Sequence, residues 1–175
     1  MWLGGILEVF GYKAFNKGLI DMYGNKMELN RKYSVKGPIL WNSSKGGNGY
    51  HFCTYMEDCF SYFNGFEGDI DITEVKGSGR MTSYDDDYRD NYDMYVSESI
   101  EIIRILPREE IINYFLNKSY ITTGRFAYFS LEKFITRYPL TDEERQRFLD
   151  RELDIEFINN FYSSEEKRVY CKRLK

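Results

Sequence analysis

One segment restricts the folds open to this chain more than any other. From Asp69 to Val75, charged or polar side chains alternate with apolar ones. Side chains two residues apart share one face of a β-strand, so the pattern predicts a strand with one buried and one solvated face. The β-branched run Ile100–Leu106 predicts a second, buried strand. The chain is therefore expected to fold around a sheet.

Other segments add strands and two helices to this sheet. Further strands are predicted over Ile6–Phe15, Met27–Val35, Tyr50–Cys53 and Arg80–Tyr84, the last after a break at Gly77–Gly79. A helix is expected from Thr54 to Phe63, with Thr54 and Glu57 forming a capping box at its start. Pro107 fits the first position of a second helix, which covers Glu109–Leu116.

The character of the chain changes after Asn117, where strand signals give way to amphipathic, charged segments. Helices are predicted at about Ser130–Arg137, Thr141–Leu153 and Ser164–Leu174, and Thr141 with Glu144 makes another capping box. The fold class is thus α+β, with a mixed, mainly antiparallel curved sheet and packed helices in residues 1–118. A helical C-terminal extension follows in residues 119–175.

Composition excludes several classes of protein. With 42% hydrophobic residues in 175, the chain can bury a core, and its net charge of −4 argues against binding nucleic acid or anionic lipid. No apolar run approaches the roughly 20 residues that cross a bilayer, and Glu8 interrupts an N-terminus without a basic region. Cys53, Cys59 and Cys171 lack zinc or thioredoxin spacing, so reduced thiols in a soluble cytoplasmic protein are expected.

Aromatic residues make up 18% of the chain, with 16 Tyr and 13 Phe. Large rings are typical of a core, but an aromatic-lined binding surface is the alternative interpretation. Because no complete catalytic set accompanies the rings, the sequence favours a non-catalytic interaction module. Such a module would bind a partner protein or self-associate, and it would need no cofactor.

Few residues suggest chemistry on their own. His51 is the only histidine, which excludes a multi-histidine metal site and leaves either acid–base chemistry or a strand histidine bonded to backbone. The acidic, Tyr-rich segment Tyr84–Tyr95 is either a solvated loop or a divalent cation site. Glu98 and Glu101 are three apart, so on a regular strand they cannot both enter one pocket.

Three motifs resemble a family of uncharacterised bacterial and phage domains. They are GYKAF at Gly11–Phe15, GYHFC at Gly49–Cys53 and YDMY at Tyr92–Tyr95. The resemblance covers about residues 10–112 and leaves the helical extension outside. It implies no activity.

The order of elements is also similar to that of the ADP-ribosyltransferase superfamily. That resemblance implies catalytic roles for Lys13 on the first strand, His51 in the second motif and Glu98 on the last strand, although Lys13 stands where the family has Arg or His. It further implies NAD as cofactor, held by the rings of Tyr12, Tyr50, Phe52 and Tyr62. The alternative function is therefore an NAD-dependent ADP-ribosyltransferase-like enzyme or NAD glycohydrolase acting in bacterial conflict.

Overall fold

The computed structural model describes residues 8–39, 48–62, 69–84, 94–117, 134 and 137–150. Its backbone contacts divide the chain into two compact units, Met1–Leu106 and Pro107–Lys175. The first unit holds the sheet, and the helix that follows Pro107 belongs to the second. The predicted division at residue 118 lies after that helix.

The first unit is built mainly from β-structure. Its described strands are β1 (Glu8–Asn16), β2 (Lys32–Ser34), β3 (Tyr50–Cys53), β4 (Ile70–Tyr84) and β5 (Met94–Ile105). A 3₁₀ turn over Met56–Asp58 leads into the short helix α1 (Cys59–Tyr62), and both pack against β1.

These strands close into a small barrel. β1 pairs with β3 on one side and β4 on the other, and β5 pairs with both β3 and β4, always antiparallel. β2 pairs with Ser99–Glu101 of β5, next to the stretch of β5 that pairs with β3. The predicted α+β class with an antiparallel curved sheet is confirmed, and β3 covers the predicted residues.

The core of the barrel includes the ring of Phe52, which is almost fully buried. Phe52 stacks on Tyr95 with ring centroids 5.6 Å apart. Its ring also fills the space left by two glycines on neighbouring strands: a Cβ added to Gly11 would lie 2.7 Å from Phe52 Cδ2, and one added to Gly77 would lie 2.5 Å from Phe52 Cζ. The remaining buried members of this core are Phe15, Leu19, Met27, Val75, Ile100 and Ile102.

The strands predicted over Asp69–Val75 and Arg80–Tyr84 are one strand in the structure, because a β-bulge absorbs the irregularity at the predicted break. Ser78 pairs with Ser99 and Met81 pairs with Ser97, so two residues of β4 face one residue of β5. One of the two is Gly79, whose φ of +84° is the left-handed conformation that glycine tolerates at a bulge. The chain therefore passes through the predicted break as a single bent strand.

Two other local predictions are wrong. The predicted strand Met27–Val35 is reduced to β2, because Met27 packs into the core and Leu29 makes only an isolated parallel bridge to Ile102. Thr54 does not cap a helix: its Oγ1 is buried without a hydrogen-bond partner, and the 3₁₀ turn begins after Tyr55. The extended backbone of Tyr55 replaces the capping geometry that the Thr–Glu spacing suggested.

The second unit contains α2 (Arg108–Asn117) and α3 (Asp142–Asp150). The capping box before α3 is confirmed: the Thr141 N–H donates to Glu144 Oε2 at 2.7 Å, and the Glu144 N–H donates to Thr141 Oγ1 at 3.2 Å. Phe115 and Phe134 stack with centroids 3.9 Å apart in its core. The helix predicted over Ser164–Leu174, and most of the one over Ser130–Arg137, lie outside the described residues.

Candidate functional site

Lys13 lies where β1 and β3 separate. The two strands share a single paired position, Tyr12 with Cys53. One residue further along β1, the Lys13 ammonium donates a hydrogen bond of 2.7 Å to the carbonyl oxygen of His51, and it lies 5.7 Å from the centre of the Phe15 ring. The side chain of Lys13 thus connects the two strands where their backbones no longer pair.

The environment of Lys13 disfavours its charge. Burial lowers the pKa of the ammonium below its ordinary value of 10.5, and the nearby groups of Cys53, Cys59 and Asp21 offset part of that effect. An amine with a lowered pKa loses its proton more readily and can act as a base or a nucleophile. Lys13 is thus the predicted catalytic residue whose pKa burial lowers.

His51 and Tyr50 are neighbours on β3. His51 contributes its backbone carbonyl to the contact with Lys13, and its side chain is half-buried. Tyr50 is also half-buried and packs against the barrel core, and burial, together with Tyr33 and Asp21, raises the pKa of its phenol. Of these two residues, only His51 has a contact with Lys13 in the structure, and that contact is through its backbone.

Two cysteines follow His51 in the chain. Cys53 ends β3 and Cys59 begins α1, and both are buried. The pKa of the Cys59 thiol is raised well above its ordinary value, first by burial and then by its hydrogen bond with Cys53. No paired spacing in the sequence predicted an interaction between these two thiols.

Glu98 belongs to a different arrangement, the bulge between β4 and β5. Its carboxylate accepts hydrogen bonds from Arg80 Nη2 at 2.9 Å, Arg80 Nε at 3.2 Å and the Arg80 backbone N–H at 3.1 Å. These bonds lower the pKa of Glu98 to about 2. Arg80 also donates to the carbonyl of Gly37, so the ion pair ties the bulge to the loop after β2.

The other predicted binding residues are dispersed. Phe52 is buried in the core, where it contacts two glycines and Tyr95. Tyr12 is half-buried opposite Glu74 on β4. The side chain of Tyr62 and most of the acidic segment, residues 85–93, lie outside the described residues. A catalytic role for Lys13, His51 and Glu98 stays a prediction.

A feature that the sequence reasoning did not single out is the exposed tip of the loop between β1 and β2. Met22 is 68% exposed and Tyr23 is 78% exposed. The available signal was Asp21 followed by Gly24 and Asn25, a composition typical of turns that a carboxylate stabilises.

The described residues contain neither a cluster of potential metal ligands nor a helix that could span a membrane. No group of three or more His, Cys, Asp or Glu side chains there could hold a metal ion. Over the same residues, no helix combines the length and the apolar character needed to cross a bilayer.

Comparison with known proteins gives one match. Residues 9–113 match a family model described as a domain of unknown function, DUF7666. This range agrees with the predicted resemblance to an uncharacterised domain family over residues 10–112. No curated protein and no solved structure matches the chain, and nothing in the comparisons supports an ADP-ribosyltransferase-like layout.

Proposed function

We propose that this chain, which belongs to the family of the domain of unknown function DUF7666, is a protein-binding module. The description of that family assigns no activity, so the proposal rests on the surface of the chain itself. The observation that carries this proposal is the pair Met22 and Tyr23, which are 68% and 78% exposed at the tip of an ordered loop. Contiguous exposed apolar surface marks interaction sites, and Tyr is enriched among the residues that dominate binding energy.

The tip is held by the carboxylate of Asp21. Its Oδ1 accepts hydrogen bonds from the N–H groups of Tyr23 and Asn25, both at 2.8 Å, and its Oδ2 accepts one from Asn25 Nδ2 at 3.0 Å. Backbone bonds between Asp21 and Asn25 and between Gly24 and Asp21 close the same turn. Since the turn is already ordered, binding through it would cost little conformational entropy.

The base of the loop is anchored in the barrel. Leu19 and Met27 are buried in the core, and the Met27 N–H donates to the Leu19 carbonyl at 2.9 Å. The buried carboxylate of Asp71 accepts hydrogen bonds from the N–H groups of Gly18 and Leu19. The exposed tip is therefore carried by residues that the core immobilises.

Met22 and Tyr23 have the chemistry of a binding contact. Tyr combines a large rigid ring with a polar end, and Met adapts its unbranched thioether to irregular surfaces. Burying a large apolar side chain contributes about 1.5–3 kcal/mol, so the pair would supply about 3–6 kcal/mol, before other costs, toward complex formation. That is at least on the order of a 100-fold effect on the dissociation constant.

The test compares wild type with the double variant Met22→Ser/Tyr23→Ser. Each protein is immobilised and exposed to extract from cells that make it, and retained proteins are quantified by mass spectrometry; light scattering measures self-association in parallel. We expect the amount of retained partner, or the fraction of dimer, to be at least tenfold lower for the double variant than for wild type. Phe10→Ser is the matched control, because Phe10 is 57% exposed on β1, outside the loop, and its loss should leave binding unchanged.

Equal retention by wild type and the double variant would contradict the proposal, as would a monomeric wild type that retains nothing. The NAD-using alternative is separated by incubating the purified protein with NAD. A binding module releases no nicotinamide. Release that Glu98→Gln abolishes would instead favour the enzyme.

A further inference from the structure

The segment between β3 and α1 has a conformation that its own sequence does not favour. Thr54 and Glu57 have the spacing of a capping box, in which each side chain accepts a hydrogen bond from the backbone N–H of the other residue. In the structure, Tyr55 is instead extended, with φ −110° and ψ 142°, and the 3₁₀ turn Met56–Asp58 that follows has no side-chain cap. Local sequence preference and tertiary structure therefore disagree over these residues.

The observed conformation places three polar side chains in unfavourable surroundings. Thr54 Oγ1 is buried and has no hydrogen-bond partner among the described residues. Glu57 is 7% exposed and Asp58 is 3% exposed, so two adjacent acidic side chains are buried in a single turn. Removing a hydroxyl from water without a partner costs free energy, and so does the desolvation of a carboxyl group. The observed turn is therefore stabilised by its packing against the barrel and not by its polar groups.

An α-helix that begins at Tyr55 would improve the surroundings of these polar groups. Thr54 would be its N-cap residue, with Oγ1 accepting a hydrogen bond from the Glu57 N–H. Glu57 and Asp58 would lie near the helix N-terminus, where the macrodipole favours acidic side chains. The apolar packing would be kept, because side chains three and four residues apart share one face of an α-helix. The apolar side chains buried in this segment have that spacing: Met56, Cys59 and Phe60.

We propose that the segment from Thr54 to Cys59 is a two-state element, in which the observed 3₁₀ form exchanges with a form whose helix begins at Tyr55 and is capped by Thr54. This inference does not depend on the proposed binding function. The exchange converts Tyr55 from extended to helical backbone, and this side chain is 46% exposed just after β3. It therefore changes the surface beside the strand whose His51 carbonyl binds Lys13.

The experiment is chemical-exchange saturation transfer by NMR on the isotope-labelled full chain. We expect a second state at residues 55–58, with the Cα shift of Tyr55 moved toward helical values. Thr54→Val keeps the shape of the side chain but cannot cap, so it should lower the population of that state about fivefold or more, the ratio that corresponds to a cap of about 1 kcal/mol. Thr54→Asp, a stronger N-cap residue, should raise the population.

Thr141→Val is the matched control, because it removes a threonine from the capping box that is formed before α3 and should leave the exchange at residues 55–58 unchanged. Three results would overturn the proposal. They are the absence of a second state in both wild type and Thr54→Asp, a second state with the shifts of unfolded chain, and equal populations in wild type and Thr54→Val. Circular dichroism checks that each variant is folded, and Thr54→Asp keeps the test decisive if Thr54→Val is not.

Discussion

The contact between Phe52 and Gly77 makes the sharpest prediction about the barrel. Gly77 has an ordinary backbone conformation, so alanine is allowed there by φ and ψ. Its new Cβ would nevertheless lie 2.5 Å from Phe52 Cζ, whereas carbon atoms in contact are normally about 3.5–4.0 Å apart. The ring would have to move by about 1 Å within a close-packed core.

Overpacking of this size lowers the free energy of unfolding by about 1–3 kcal/mol. Phe52→Ala lowers it by about 3–5 kcal/mol, through the cavity that the substitution leaves. If the two residues did not touch, the free energy of unfolding of the double variant would fall by the sum of the two single effects, about 4–8 kcal/mol. Because the alanine at position 77 would occupy part of the space that the ring leaves, we expect the double variant to lose no more than Phe52→Ala alone. The coupling energy is thus about 1–3 kcal/mol.

The assay is urea unfolding followed by circular dichroism for wild type, both single variants and the double variant. Tyr23→Ala combined with Gly77→Ala is the matched control, since Tyr23 is 78% exposed and its effect should add to that of Gly77→Ala. Additive losses in the Gly77→Ala/Phe52→Ala variant would refute the contact and, with it, the filling of the barrel by Phe52.

Three further predictions concern charge and capping. Folding lowers the pKa of Glu98 from 4.5 to about 2, so this group contributes stability above pH 4.5 that is lost as the pH falls toward 2. When stability is measured by urea unfolding at different pH values, Glu98→Gln should therefore show a smaller loss over that range than wild type. Folding also lowers the pKa of Lys13, so this group alone contributes stability that rises as the pH approaches 10.5, whereas Cys59 and Tyr50 contribute in the opposite direction; the stability of wild type relative to Lys13→Met should therefore increase over that range in the same assay. Thr141→Ala should destabilise α3 by about 1 kcal/mol, seen as faster amide hydrogen exchange there, while Asp142→Asn should have a smaller effect.

The aromatic excess has two different outcomes in the described residues. Phe52, Phe115 and Phe134 are core rings, as the simpler interpretation of the composition predicted. Tyr23 is 78% exposed, and the composition could not distinguish it from a core ring. Exposure depends on where the loop lies relative to the barrel, and that position depends on the burial of Leu19 and Met27.

The candidate site was predictable only in part, for a reason that Lys13 and Glu98 illustrate. The short motifs around Lys13 and His51 marked two strands that do meet, and the Lys13 ammonium contacts the His51 carbonyl. Glu98 was chosen by its position on the last strand, yet its carboxylate is bound by Arg80 across a bulge. Because a bulge changes which side chains face each other, sequence spacing could not identify that partner.

Local patterns were sufficient to identify most of the elements: alternation predicted part of β4, β-branched residues predicted part of β5, and the Thr–Glu spacing predicted the cap of α3. Those patterns act over a few residues, through side-chain periodicity and hydrogen bonds near in sequence. Closure of the barrel, the placement of Phe52 against Gly11 and Gly77, and the contact of Lys13 with the His51 carbonyl were decided by the tertiary structure. They depend on strand register and on packing between segments distant in the chain, which only the folded core can select.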